Sequence, residues 1–348
     1  MGLTDEIAEN GDLERMRIKL SDATTSVGKL RKMLALSESE RERAERLAEF
    51  SKRDLRPPKW LVSKKQTGKH RGIVCAVLSD THFDEFVNPR EVYGLNAYDR
   101  EIAQMRLERF SENVVKISRQ YLAGVDFEGC VLFLAGDMVS GTIHDMAETN
   151  IATAPDTALH WAEQIAACIE LLATEFGKLH VPCVVGNHGR LTRKPRTKQR
   201  ARDNWDWVIY SLLSKHFKND DRITFSITDA TDVLVEVYNT RFLLTHGDQV
   251  SGAGGGIGGI WPGIMRMIAR KRVRENFDTI VCGHWHQLIL APSQGVIVNG
   301  SLKGLDEYAA ISNFAPERPQ QAMWVTTPEH GVTFTAPVFC ADRKKEGW

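Results

Sequence analysis

Five places in the chain set oxygen and imidazole donors directly after apolar runs. They are Asp80 with His82, Asp137, Asn187 with His188, His246, and His284 with His286. An Asp-x-His pair offers one hard oxygen and one imidazole nitrogen, which suits a divalent transition metal. One such pair is a weak signal, because polar residues often follow strands. Five strand ends holding this set, with five of the chain's eleven histidines among them, exceed what chance supplies. Carboxylate, imidazole and amide oxygen together fit two neighbouring borderline metals better than calcium or a thiolate zinc site. Asp137, the single carboxylate on the middle strand end, could bridge the pair. Two metals roughly 4 Å apart clamp the attacking and leaving oxygens of an in-line phosphoryl displacement and generate hydroxide near neutral pH.

The elements that must position these donors follow from hydropathy patterning. Residues 73–78, 131–135 and 181–185 are short apolar runs that read as buried strands, separated by helical stretches at about 99–122 and 156–176. Strand, helix, strand, helix, strand is the order of a mostly parallel sheet covered by helices, with ligand-bearing loops at the carboxyl ends of its strands. After a helix at about 203–217 the pattern becomes short and alternating. Residues 223–227, 233–237 and 242–244 read as strands of a second sheet. A helix at about 264–276 precedes a strand at 279–282, and the tail, 296–339, is expected to complete the second sheet. Residues 251–259 hold six glycines without the Gly-Lys-Ser/Thr ending of a phosphate-binding loop, so they read as a loop beside the site.

Residues 1 to about 50 differ from the rest. Leu13, Met16, Leu20, Ala23, Val27, Leu30 and Leu34 repeat at spacings of three and four, an a/d seam over about three heptads, with Gly28 as a weak point. The segment 1–55 reads as a coiled coil and linker that makes the chain a homo-oligomer, a dimer or higher. Pro57 and Pro58 end any helix. The main domain is taken as 56–348.

With 348 residues the chain can bury a full core, and its formal net charge is zero, so attraction to polyanions must come from a local patch. Six cysteines without a C-x-x-C pattern, four of them (Cys75, Cys130, Cys183 and Cys282) in strand-like runs, read as buried reduced thiols. There is no apolar amino-terminal signal region and no run near the roughly 18 apolar residues that span a bilayer, so the expected setting is cytoplasmic, without membrane. One local patch stands out. Arg190, Arg193, Lys194, Arg196, Lys198, Arg200 and Arg202 follow His188 with no acid until Asp203. Beside a phosphoryl-transfer site such a run favours a polyanionic substrate. Trp205 and Trp207 could stack on bases, although helix core is the commoner role for such residues.

Asp80-Thr81-His82, Gly136-Asp137, Gly186-Asn187-His188, His246 and Gly283-His284-Trp285-His286, in that order, resemble the motifs of the calcineurin-like metallophosphoesterases over about residues 72–305. The resemblance implies a four-layer α/β/β/α sandwich of two mixed sheets with a dinuclear site on one edge. It implies that Asp80, His82, Asp137 and His286 hold one metal, and Asp137, Asn187, His246 and His284 the other. Manganese is the foremost cofactor, with iron, zinc, nickel and magnesium as alternatives. His188 would stand outside the metal shell and, as an imidazolium, stabilise the phosphorane-like charge or protonate the leaving oxygen. Gly189 stands where the family often has an acid, so an orienter for His188 must come from elsewhere, such as Asp84 or Asp248. The residues after Asp137, Met138-Val139-Ser140-Gly141, lack the Arg-Gly of phosphoprotein phosphatases and the Tyr of purple acid phosphatases. The chain is more similar to the DNA-repair nuclease and phosphodiesterase branch, including phage-borne members, which implies a nuclease acting on DNA or RNA, in the host cytoplasm for a phage protein. Its substrate contacts would come from Arg190, Arg193, Lys194, Arg196 and Lys198. A small phosphodiester such as a cyclic nucleotide is the second enzyme reading. A non-catalytic scaffold is the third, and the intact donor set argues against it.

Overall fold

The first strand, β1 (Arg71–Leu78), is apolar throughout its second half because both its faces are covered. In the computed structural model Ile73, Cys75 and Val77 point into one buried cluster, and Val74, Ala76 and Leu78 into another. The structure describes residues 70–141, 150–250 and 259–347, with Pro58 and parts of the amino-terminal segment (Leu20, Thr24, Val27, Gly28, 31–35 and Glu38).

The chain divides into two compact units, Met1–Arg56 and Pro57–Trp348. In the first, Leu20, Val27 and Leu34 of the heptad seam are helical and exposed. Leu13, Met16, Ala23 and Leu30 lie outside the described residues, as does most of the glycine-rich stretch 251–259.

The second unit runs β1, α1 (Arg100–Lys116) with a π-helical turn (Ile117–Tyr121), β2 (Asp126–Leu134), α2 (Ala154–Phe176), β3 (Leu179–Cys183), α3 (Trp205–His216) and β4 (Ile223–Ile227). It continues with β5 (Asp232–Val237), β6 (Thr240–Thr245), α4 (Trp261–Arg272), β7 (Thr279–Cys282), β8 (Ile289–Ala291), β9 (Val296–Val298), α5 (Glu307–Ile311), β10 (Gln320–Thr327), β11 (Gly331–Phe339) and α6 (Arg343–Glu346). Polar side chains start α1, α2 and α3: Asp99, Thr153 and Asn204 each accept a first-turn amide N–H as N-caps, and Gly177, left-handed at φ 74°, stops α2.

Two mixed sheets result. One has the order β11-β10-β1-β2-β3-β4, the other β5-β6-β7-β9-β8. β1 to β4 run parallel, as do β6, β7 and β9, so the donor-bearing carboxyl ends gather at one edge of each sheet. One face of the first sheet packs on α1, α2 and α3. Its other face shares a cluster with the second sheet, where Phe133, Phe242 and Trp324 meet. The remaining face of the second sheet packs on α4 through Ile264, Met267 and Ile268.

Two strand assignments differ from the sequence expectation. Residues 223–227 pair in parallel with β3, so they extend the first sheet, not the second. Of the tail, only β9 joins the second sheet; β10 pairs antiparallel with β1, and β11 with β10. Periodicity reports which faces of a strand are buried, but partner choice is a long-range packing decision. β10 is buried along six consecutive positions because it lies inside the first sheet. The six cysteines are all free and buried, and no described helix is long and apolar enough to cross a membrane.

Candidate metal centre

The loop after β1 stays attached to the loop after β2. Asp80 N–H donates to Gly136 O (3.1 Å), Thr81 and His82 N–H to Asp137 O (3.1 and 3.2 Å), and Phe83 N–H to Met138 O (2.9 Å). These two loops turn through left-handed backbone at Asp80 (φ 52°), His82 (47°) and Asp137 (52°), and the loop after β7 does so at His284 (71°) and His286 (52°). That conformation is costly for residues with a Cβ and concentrates at functional sites. Glycine precedes three of the donor groups for a steric reason. A Cβ on Gly136 would lie 2.3 Å from Gly186 N, one on Gly186 2.0 Å from Asp137 Oδ1, and one on Gly283 2.3 Å from Asp80 Oδ2.

The donors converge. Asp80, His82 and His286 form one group whose candidate ligand atoms all lie within 4.8 Å of one another; Asp137, His246 and His284 form a second. Asn187 Oδ1 lies 3.0 Å from His246 Nε2, which is also 3.0 Å from Asp137 Oδ2, so the amide belongs with the second group. His82 Nε2 is 3.2 Å from His286 Nε2, and Asp80 Oδ1 is 3.5 Å from it. His82, Asp137 and His188 make a third grouping, so His82 and Asp137 stand where the two sets meet and His188 borders both. His188 meets His82 edge-on, with ring centroids 4.6 Å apart.

Neighbouring groups orient the imidazoles. His246 Nδ1 lies 2.7 Å from the Ala135 carbonyl, which only accepts, so Nδ1 carries the proton and Nε2 faces the donors. His82 Nδ1 is held by Ser140 Oγ (2.9 Å), and Ser140 Oγ–H donates to the buried Glu85. Glu85 in turn accepts from the buried Lys303 Nζ (2.8 Å), which also pairs with Asp306. Asp80 accepts from Ser79 Oγ (2.5 Å) and from His284 N–H (2.9 Å). Asp137 Oδ1 accepts from His188 N–H at 2.7 Å.

Burial, then the Lys303 ammonium and the neighbouring imidazoles, hold His82 well below its usual range, so it stays neutral, the ligating form. Burial and the His246 charge bring His284 down to about 4. Burial disfavours charge on His246 as well, but the carboxylates of Asp137, Asp80 and Asp248 outweigh it and lift it to about 10. A divalent cation at Nε2 would replace that proton. Burial would raise Asp137, yet the imidazoles of His246 and then His188 hold it well below the usual carboxylate range. These oxygen and nitrogen donors, convergent, largely buried and backed by hydrogen bonds, fit divalent metal.

Several supporting residues carry no signal in the sequence. Asp206, buried in the first turn of α3, accepts from Asp137 N (2.9 Å), Met138 N (3.0 Å) and Gly186 N (2.8 Å), bracing the loops after β2 and β3 together. Burial and then the Asp137 charge push it up to about 7. An acid in a first helical turn is commonplace, so nothing in its spacing sets it apart. Asn299 and Gln321 likewise hold the Ser79 turn. Asp84 and Asp248, considered as orienters of His188, are gripped by Arg100 and Arg200; Ser140 O, 3.3 Å away, is the partner that His188 Nδ1 meets.

The basic segment divides. Arg190 donates to the carbonyls of Asn187, Thr192 and Arg193 and so builds its own loop. Arg200 pairs with Asp248, Arg202 with Asp229 and over the Trp207 ring, and Arg196 with Asp203 at 3.4 Å. Arg193, Lys194 and Lys198 are exposed. Trp205 and Trp207 pack on the helix-side core.

No family model matches the chain, and no curated protein does. Among solved structures it is similar to a conserved uncharacterized protein of Streptococcus pneumoniae described as a predicted phosphoesterase (13% identity, 78% of this chain and 98% of that one, TM-score 0.28). It is also similar to Vps29 of Entamoeba histolytica, solved with zinc (11% identity, 76% and 99%, TM-score 0.31). A third is the sulfate thiohydrolase SoxB of Thermus thermophilus (10% identity, 79% and 58%, TM-score 0.30).

Proposed function

We propose that this chain is a dinuclear-metal-dependent phosphodiesterase of the calcineurin-like type that acts on nucleic acid, with the α/β/β/α layering that type implies. The observation that carries the reading is the pair of donor groups meeting at His82 and Asp137. Asp80, His82, Asp137 and His286 would hold one ion, and Asp137, Asn187, His246 and His284 the other. When bound, such ions polarise the phosphoryl oxygens and lower the pKa of water.

The chain's own residues do the rest. The Ala135 carbonyl and Ser140 hydroxyl fix the two buried imidazoles, so their lone pairs are aimed before any ligand arrives. Asp206 and Gly186 set Asp137 against the β3 loop. His188 Nδ1 faces Ser140 O, so Nε2 is the atom that would carry a proton to the leaving oxygen or face the negative charge of the transition state. Arg193, Lys194, Arg196 and Lys198, five residues or more beyond His188, would contact backbone phosphates, with Arg190 shaping their loop.

The test is one panel with manganese: plasmid, single-stranded DNA, RNA, cyclic nucleotides and bis(p-nitrophenyl) phosphate. Replacing Arg193, Lys194, Arg196 and Lys198 with Ser is expected to lower the ratio of nucleic-acid to bis(p-nitrophenyl) phosphate cleavage and to flatten its salt dependence, because fewer counterions are released on binding. An unchanged ratio and salt slope would remove the segment from the substrate site. The second reading, a small phosphodiester, is favoured by the cavity of about 720 Å³ beside the donors. Cyclic nucleotides as the best substrates would install it.

A further inference from the structure

His82, Asp137, His188 and His286 line that cavity. Residues between 303 and 318 also line it, among them Tyr308 and Phe314, which are 62% and 54% exposed, with ring centroids 6.1 Å apart in an edge-to-face pair. From the same stretch Leu305, Ala309 and Ala315 add apolar surface, and Lys303, Asp306, Glu317 and the exposed Arg318 add charged groups.

This stretch is anchored. Asp306 caps α5 by accepting Ala309 N–H at 2.7 Å, while its other carboxylate oxygen pairs with the buried Lys303. Lys303 also holds Glu85, which reaches His82 through Ser140. Glu307 accepts Asn88 N–H at 2.7 Å, pinning the same helix from outside. The element that carries Tyr308 is therefore tied to the neighbourhood of His82 by buried ion pairs. Exposed aromatic rings held on a fixed wall are preorganised to receive a flat apolar group.

We propose that this wall seats the base of the nucleotide whose phosphate lies at the metal centre, with Tyr308 and Phe314 as the stacking platform. The proposal rests on the phosphodiesterase reading and deepens it. A cavity of about 720 Å³ falls in the range that encloses one small ligand, so it suits a single unpaired nucleotide rather than a duplex. Stacking on aromatic faces tolerates any base, so no particular base sequence is implied.

Calorimetry on the full chain with manganese, comparing adenosine 5′-monophosphate, ribose 5-phosphate and phenyl phosphate, tests it without relying on turnover. The nucleotide is expected to bind at least about ten-fold more tightly than ribose 5-phosphate, the advantage of one stacked base. Tyr308→Ala combined with Phe314→Ala is expected to bring that ratio close to one, and Tyr308→Phe to keep it. Both rings are exposed, so the double variant removes no core packing. Equal affinities for nucleotide and sugar phosphate, including no measurable binding of either, overturn the proposal. So does a ratio that survives the double substitution. Phenyl phosphate binding as tightly as the nucleotide would replace a base pocket by a general aryl pocket. If no phosphodiester in the panel is cleaved but the base-dependent ratio appears and collapses as stated, the pocket stands and the phosphodiesterase reading falls.

Discussion

Gly186→Ala puts a single methyl group against the residue on which both donor groups converge. Its Cβ would sit 2.0 Å from Asp137 Oδ1 and 2.4 Å from Asp137 N. Real Cβ contacts keep to about 3 Å or more, so Asp137 or the β3 loop must move by about 1 Å. Neither can yield easily. Asp137 N is held by Asp206, Asp137 Oδ1 by His188 N–H, and Gly186 N by Asp206 again. Overpacking of this kind costs about 1–3 kcal/mol of folding stability. The effect on the ions should be larger in proportion, since displaced ligands or their supports commonly lose about 10–100-fold in metal affinity. Gly124→Ala is the internal control: nothing lies within 4 Å of its Cβ and its φ is not positive, so the substitution is expected to be neutral or to stabilise by up to about 1 kcal/mol. Manganese titration by calorimetry reads the affinity, and urea denaturation reads the stability. If Gly186→Ala binds two ions as the parent does, the close approach of the β2 and β3 loops is not what positions Asp137, and the reasoning fails.

Asp137→Asn is expected to remove metal binding and activity together, whereas His188→Ala should lower turnover about 10²–10⁴-fold and keep two ions, as metal analysis beside bis(p-nitrophenyl) phosphate assays would show; loss of metal in the His188 variant would make it a ligand. His180, buried on β3 with Nδ1 against Thr224 Oγ1 and brought to about 4 by burial, binds its proton less readily folded than unfolded. Stability from this group is therefore complete above about pH 6.5 and falls as pH drops towards 4, by at most roughly 3 kcal/mol. His180→Gln should reduce that slope in melting curves taken between pH 7.5 and 4.5, and an unchanged slope would show that the imidazole is not the sensitive group. Deleting residues 1–55 is expected to lower the molecular mass measured by light scattering, because a heptad seam gains roughly 1.5–3 kcal/mol for each large side chain it buries; an unaltered assembly would clear the segment of that role.

The donor types were legible in the sequence because each follows its own apolar run. A strand announces itself locally, and the loop at its end needs no knowledge of the rest of the chain. Asp80, His82, Asp137, Asn187, His188, His246, His284 and His286 could be picked out that way, and parallel strand order was enough to bring most of them to one edge. What the sequence could not contain in readable form is whatever depends on distant partners. Residues 223–227 and 320–339 look like any other strands, and only packing decided that β4 extends the first sheet beyond β3 and that β10 lies against β1. Asp206 looks like a helix-starting acid until three amides from two other loops are found on its carboxylate. Lys303 looks like a surface lysine until the fold buries it between Glu85 and Asp306. A donor's chemistry belongs to its side chain and its place on a strand. Its support, its charge state and the cavity facing it arise where segments far apart in sequence meet, so the tertiary structure alone determined them.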